Sequence, residues 1–261
     1  MTTNGRPNSA SRPGSAALFP TCVVDAVDPG VGVATVRVLR RAGFVVTVPE
    51  RATCCGQPAW NAGHGAAAAE VARTTLRALD ECDADVIVVP AGSCATMMRI
   101  FWRELFVLQG TAAERAMVAR VAARTRELSE LLDDVGAPAT TRPDPLPTAY
   151  HRSCHMLREL GIAEPPERVL DSTGADRRVP EGSGRCCGFG GLFSVKLPEV
   201  STAMADDVLD AMVQTGARRV VGCDASCLMH LRGRAERRGL ALEFRHLATV
   251  VEAASRPGPA G

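Results

Sequence analysis

Two short stretches set adjacent cysteines directly before a glycine: ATCCGQPAWNAG around Cys54 and Cys55, and GRCCGFGGLFSV around Cys186 and Cys187. Thiolates are soft ligands and nucleophiles, so such pairs point to metal binding, redox chemistry or disulfides. A bond between sequence neighbours needs a strained eight-membered ring, which disfavours a disulfide. Zinc accepts four thiolates, but its sites usually draw on cysteine pairs two to four residues apart. The only pair in each group here is vicinal. An iron–sulfur cluster offers several irons, so neighbouring cysteines on an extended loop can each reach a different one. Glycine beside them, Gly56 and Gly188, lets the backbone come close and aim N–H groups at sulfide. The run GFGG is equally readable as a tight turn. The spacing favours iron–sulfur over zinc and leaves zinc open.

The remaining cysteines repeat the pattern. Cys22 lies 32 residues before Cys54, and Cys154 lies 32 before Cys186. Cys94 follows Cys55 by 39 residues, and Cys227 follows Cys187 by 40. VIVVPAGSCATMMR ends on Ser93, Cys94 and Arg99, and RVVGCDASCLMHLR on Ser226, Cys227 and Arg232. The chain is two copies of one unit of about 130 residues. Two sites are expected: Cys22, Cys54, Cys55 and Cys94 in one, Cys154, Cys186, Cys187 and Cys227 in the other.

Other residues carry weaker signals. Cys82 matches nothing in the second half and reads as a small packing residue. His151 and His155 flank Cys154 without the Cys-x-x-Cys-His of a c-type haem. They read as donors to cluster sulfur or proton carriers beside it, with a structural role as the alternative. His230, Arg232 and Arg99 could offset cluster charge or sit on a solvated helix face. Gly30 and Gly32 lack the third glycine of a dinucleotide loop.

The elements that must position these residues read as α/β. LFPTCVVDAV reads as a strand, residues 31–43 as a helix, FVVTVP as a strand, 65–81 as a helix, ADVIVVP as a strand, and 95–107 and 112–132 as helices. The second half opens with the strand TAYH. An irregular stretch over 161–185 follows, then helix 198–215, strand 218–222, helix 227–237, strand 241–244 and a last helix. Strand alternating with helix predicts two tandem units, each a small, mainly parallel sheet flanked by helices. The cysteines then fall at strand carboxyl ends, where open parallel sheets bind ligands. The expected organisation is a disordered tail over 1–16, a first unit over 17–135, a Pro-rich linker over 136–147, a second unit over 148–253 and a disordered tail over 254–261.

The chain is 46% hydrophobic with a net charge of +1, which gives no reason to propose nucleic acid as a partner. No stretch has the length of a membrane span and the first residues do not read as a signal peptide, so a cytoplasmic location is expected. In a reducing compartment cysteines favour metal over disulfides.

The series Cys, about 32 residues, Cys-Cys-Gly, about 38 residues, Cys resembles the cysteine-rich CCG domain of the heterodisulfide reductase B subunit and the glycolate oxidase iron–sulfur subunit. CCGQPAWNAG, GSCATMMR, HRSCHMLRELG, CCGFGGLFSVK and CLMH are similar, in order, to the motifs of the lactate-utilization protein A family, over about residues 18–250. The resemblance implies iron–sulfur clusters, one per repeat, in a protein that works beside two other lactate-utilization proteins, one of them ferredoxin-like, in oxidising L-lactate to pyruvate. The fullest form of the domain ends in Cys-x-x-Cys. Here Ala91 and Asp224 stand at the first of those two positions, and Cys223 lies one residue out of register as a substitute. A four-iron cubane and a non-cubane cluster both stay open. Two alternatives remain: a catalytic subunit with an open cluster iron, acting on a disulfide or on a hydroxy acid such as glycolate, and a zinc scaffold.

Overall fold

The computed structural model describes residues 14–257. Two four-stranded, wholly parallel sheets follow one another along the chain. The first contains β1 (Ser15–Leu18), β2 (Val45–Thr47), β3 (Val86–Val89) and β4 (Thr125–Glu127), in the order β2-β1-β3-β4. The second contains β5 (Pro147–His151), β6 (Asp176–Arg178), β7 (Arg219–Gly222) and β8 (Glu243–His246), in the equivalent order β6-β5-β7-β8. Ala17 pairs with Ile87 in one, and Ala149 with Val220 in the other. In each sheet the chain leaves its first strand for one side and returns to the other. The crevice between the first and third strands is the switch point where such sheets bind ligands.

Several local expectations are corrected. LFPTCVVDAV is not one strand: β1 ends at Leu18 and Cys22–Val27 is a helix. Pro20 has no N–H for a ladder, and Thr21, at φ 76°, turns the chain and accepts a hydrogen bond from the Val24 N–H. The stretch 112–132 is not a single helix. It breaks after Arg124 into β4, and a new helix, Leu128–Val135, follows. Pairing with β3 overrides the helical preference of Thr125-Arg126-Glu127. The stretch 161–185 holds a helix at Pro165–Asp171 and the edge strand β6, whose polar DRR carries no apolar alternation. β1 begins inside the stretch read as a tail, and residues 1–13 and 258–261 lie outside the described part. In the Pro-rich stretch, the N–H groups of Thr141 and Arg142 donate to the Ala254 carbonyl.

Each sheet buries both faces, as parallel sheets do. Alternate residues divide the work. Ala17, Ile87 and Val89 face a core inside the first unit, and Ala149 and Val220 one inside the second. Ala16, Val88, Tyr150 and Val221 face a third core that both units build together. The Pro29–Arg41 helix packs on the Leu247–Ala254 helix there, with Arg41 paired at 3.0 Å to the buried carboxylate of Glu252. Arg168 grips Asp133 through two bonds of 2.9 and 2.6 Å. Gly92 lies so close to the second unit that a Cβ there would sit 2.5 Å from Met156 Cβ. Among the described residues, no helix is long and apolar enough to cross a membrane.

Candidate metal centre

In the first unit each of the four candidate cysteines follows a strand. Cys22 opens the helix after β1, Cys54 and Cys55 lie in the loop after β2, and Cys94 lies in the Gly92–Thr96 helix after β3. Cys55 Sγ is 3.3 Å from Cys94 Sγ. Cys54 accepts hydrogen bonds from the Cys22 and Cys55 thiols and from the Gly56 N–H, which holds it as a thiolate with a pKa of about 3. Cys22 and Cys55 are pushed up because each donates to Cys54, and burial adds to this.

The loop is held from behind. The Thr75 hydroxyl accepts from the N–H groups of Thr53 and Cys54 and donates to the Cys54 carbonyl at 2.8 Å. The buried Trp102 indole donates to the Cys55 carbonyl at 2.8 Å. Gly56 takes φ +84°, and a Cβ would meet the Ala68 carbonyl at 2.6 Å. Its N–H lies 3.4 Å from Cys54 Sγ. Glycine is needed both for the turn and for the close approach of the loop to the next helix.

The second unit repeats this with different supports. Cys154 opens the helix after β5, Cys186 and Cys187 follow β6, and Cys227 lies in the Ala225–Arg237 helix after β7. Cys186 accepts from Cys154 and Cys187, which lowers it to about 2, and Cys154 and Cys187 rise correspondingly. Cys227 is lowered first by the Cys187 thiol. Gly188, at φ +85°, would place a Cβ 2.5 Å from the Ser201 carbonyl, and its N–H reaches Cys186 Sγ at 3.4 Å. Ser201 stands at the position of Ala68, against the glycine, and braces this loop as Thr75 braces the other. Its hydroxyl donates to the Gly188 carbonyl at 2.7 Å, so at 3.3 Å it accepts from His230 Nε2. Burial lowers the His230 pKa, which keeps the ring neutral.

Each site thus gathers four sulfurs from three loops, two buried and two half-buried. Closely set thiolates repel one another unless cations lie between them. A soft, all-sulfur donor set suits zinc or iron–sulfur and does not suit magnesium or calcium. The donors present fit such a group. A ring nitrogen of His151 lies within 4.8 Å of the ligand atoms of Cys187 and Cys227.

The two sites open onto one cavity of about 110 Å³, lined by Cys22, Cys55, Cys94, Cys154, Cys186, Cys187 and Cys227. His155 lines it too, with Nδ1 3.9 Å from Cys154 Sγ and the ring edge-on to Phe101. Cys223 stands apart from the eight. Its sulfur accepts from the Tyr150 hydroxyl at 3.4 Å in the core the two units share. Cys82 is also apart, near Thr47 Oγ1. Arg99 pairs with Glu130 at 2.9 Å and Arg232 is exposed.

Sequence reasoning missed Thr75, Trp102 and Ser201, and read Asp224 only as the place of an absent cysteine. The N–H and hydroxyl of Ser93 both donate to Asp224 Oδ1, which ties the Cys94 loop to the other unit. The Ser-Cys repeat marked Ser93, but nothing in sequence pairs it with Asp224 across 131 residues.

A family profile described as a cysteine-rich domain, CCG, matches residues 16–99 and again 148–232. Lactate utilization protein A of an Exiguobacterium species is 40% identical over 242 residues, covering 90% of this chain and 96% of that protein. Lactate utilization protein A of Bacillus thuringiensis is 40% identical over 241 residues, covering 91% and 98%. Lactate utilization protein A 2 of Bacillus mycoides matches at the same identity and coverage.

Proposed function

The chain belongs to the cysteine-rich CCG family and, within it, to the lactate utilization protein A family, and from that premise we propose that it is an iron–sulfur electron-transfer subunit of a multi-protein L-lactate oxidation system. The observation that carries this reading is the convergence of four thiols at the switch point of each sheet, twice in one chain. Cys22, Cys54, Cys55 and Cys94 would hold one cluster, and Cys154, Cys186, Cys187 and Cys227 the other. Bound clusters would supply one-electron acceptance and release.

The chain's own residues prepare the sites. The neighbouring cysteine thiols, with the Gly56 and Gly188 N–H groups, keep Cys54 and Cys186 as thiolates. Thr75, Trp102 and Ser201 fix the carbonyls of the vicinal loops, so the sulfurs stay in place when no group is bound. Oxidising lactate to pyruvate releases two electrons and two protons, and two one-electron sites match that count. In this reading the subunit works in the cytoplasm with two further lactate-utilization proteins, one of them ferredoxin-like. The units divide at 136–147.

A second reading, a catalytic subunit with an open iron, is favoured by the shared cavity of about 110 Å³. The test is anaerobic purification of the chain, with iron, sulfide and zinc analysis and paramagnetic resonance, followed by addition of L-lactate. Iron and sulfide for one cluster per unit, with reduction by lactate only when partner proteins are present, is the expected result. Reduction by the chain alone would move the assignment to the catalytic reading. Stoichiometric zinc without sulfide would overturn both.

A further inference from the structure

The C-terminal site carries a donor that its N-terminal counterpart lacks. Three residues before Cys154 stands His151, and three before Cys22 stands Phe19. The two positions are structurally matched. His151 closes β5 and pairs with Gly222 of β7, while the Phe19 N–H donates to Val88 of β3, just past β1. Both side chains are buried. Phe19 packs into the first unit's apolar core. His151 instead presents a ring nitrogen within 4.8 Å of the sulfurs of Cys187 and Cys227.

His151 Nε2 is buried without a well-formed hydrogen bond among the described residues, although the ring lies close enough to Cys227 Sγ to act on it. A buried polar atom without a partner is rare and costly. Of the other histidines of this unit, His230 and His246 each have a hydrogen-bond partner at Nε2, and His155 has Cys154 Sγ 3.9 Å from Nδ1. An occupant of the adjacent thiolates would supply the missing one for His151.

We infer that His151 is a nitrogen ligand of the group held at the C-terminal site, so that this site is mixed sulfur–nitrogen while the N-terminal site is thiolate only. The inference rests on the metal-binding reading above. Imidazole binds metal without adding negative charge, and exchanging thiolate for imidazole raises the potential of an iron–sulfur centre. His151 therefore makes two otherwise similar sites electronically unequal.

The experiment uses the full chain, labelled with ¹⁵N-histidine, loaded anaerobically and reduced, and examined by pulsed paramagnetic resonance with a redox titration. The expected result is a strong nitrogen coupling on one of two signals, lost in His151→Cys. That variant keeps a ligand at the position, and the potential of the same signal moves negative while the other is unchanged. A His151→Ala variant that fails to fold does not affect the outcome, because the coupling is read first in the unaltered chain. Absence of strong nitrogen coupling with both signals present overturns the inference. So does a coupling that survives His151→Cys, which assigns it to another histidine. A weak coupling accompanied by an exchangeable proton indicates a hydrogen bond and also overturns it. Metal analysis of the same sample tests the underlying reading separately. If the bound metal is zinc, the iron–sulfur reading falls, and the same coupling on cobalt(II)-substituted protein decides the ligand.

Discussion

The two cysteine sites share a frame and differ in what surrounds it. Four sulfurs from equivalent loops, a left-handed glycine after each vicinal pair, and a hydroxyl bracing each loop recur in both halves. The neighbours do not recur. Phe19 is matched by His151, Ala91 by Asp224, Ala68 by Ser201, and Glu127 by His246 at the ends of β4 and β8. The duplicated parts are those that fix the sulfurs, and the divergent parts are those that set charge and polarity around them. Geometry is held in common here, while electrostatics is individual to each half.

The shared frame should break most severely at the glycines. Alanine at Gly56 or Gly188 would sit at positive φ with its Cβ 2.6 or 2.5 Å from a helix carbonyl. Each substitution is expected to cost at least about 3 kcal/mol and to halve the bound metal, as read by thermal unfolding and metal analysis. Loss of both sites from one substitution would show that the halves do not load independently.

The divergent part should show next, in the pH dependence of stability. Burial pushes the Glu127 carboxyl up to about 7 from an ordinary 4.5. Between those values the folded chain keeps a proton that the unfolded chain releases, so stability falls as pH rises, by on the order of 3 kcal/mol. Burial lowers the matched His246 below its usual 6.5. Its neutral ring donates to the Pro90 carbonyl and accepts from the Ala248 N–H. Below about pH 6.5 only the unfolded chain takes up that proton, so stability is lost as pH falls. The two slopes oppose each other below about pH 6.5, so in denaturant titrations at several pH values Glu127→Gln should remove the fall with rising pH, and His246→Gln the fall with falling pH. If the pH dependence of either variant equals that of the unaltered chain, that group does not contribute to it.

The smallest effects separate cysteines of the frame from cysteines outside it. Cys223→Ala removes the acceptor of a buried Tyr150 hydroxyl and should cost about 1–3 kcal/mol, and Cys82→Ala should cost within about 0.5 kcal/mol. Both should leave bound metal unchanged. Metal loss in Cys223→Ala would return that residue to the ligand set.

The frame was legible because a duplicated chain prints its spacing twice. Recurrence of 32 residues between Cys22 and Cys54, and again between Cys154 and Cys186, carries long-range information that one copy lacks. The parallel α/β architecture followed from apolar runs such as VIVVP, whose burial on both faces leaves no alternation to misread. Two of the four edge strands were not legible. β4 (TRE) and β6 (DRR) are polar and short, and only pairing with β3 and β5 makes them strands. Cys22 was placed in a strand because Val23 and Val24 extend an apolar run. The turn at Pro20 and Thr21 decided otherwise. The supports of the loops, Thr75 and Trp102, lie 21 and 47 residues from the groups they hold, with no local pattern to mark them.

The tight seating of Gly92 against Met156 bears on how such asymmetry could arise. Two identical subunits meeting about a twofold axis must carry the same residue on either side of it. A histidine gained beside one centre would appear beside both, and an acid placed at one seam would face its own copy. Joining the halves in a single polypeptide lifts that restriction while the packing at Gly92 still holds them in fixed register. Each rim is then free to change without its twin following.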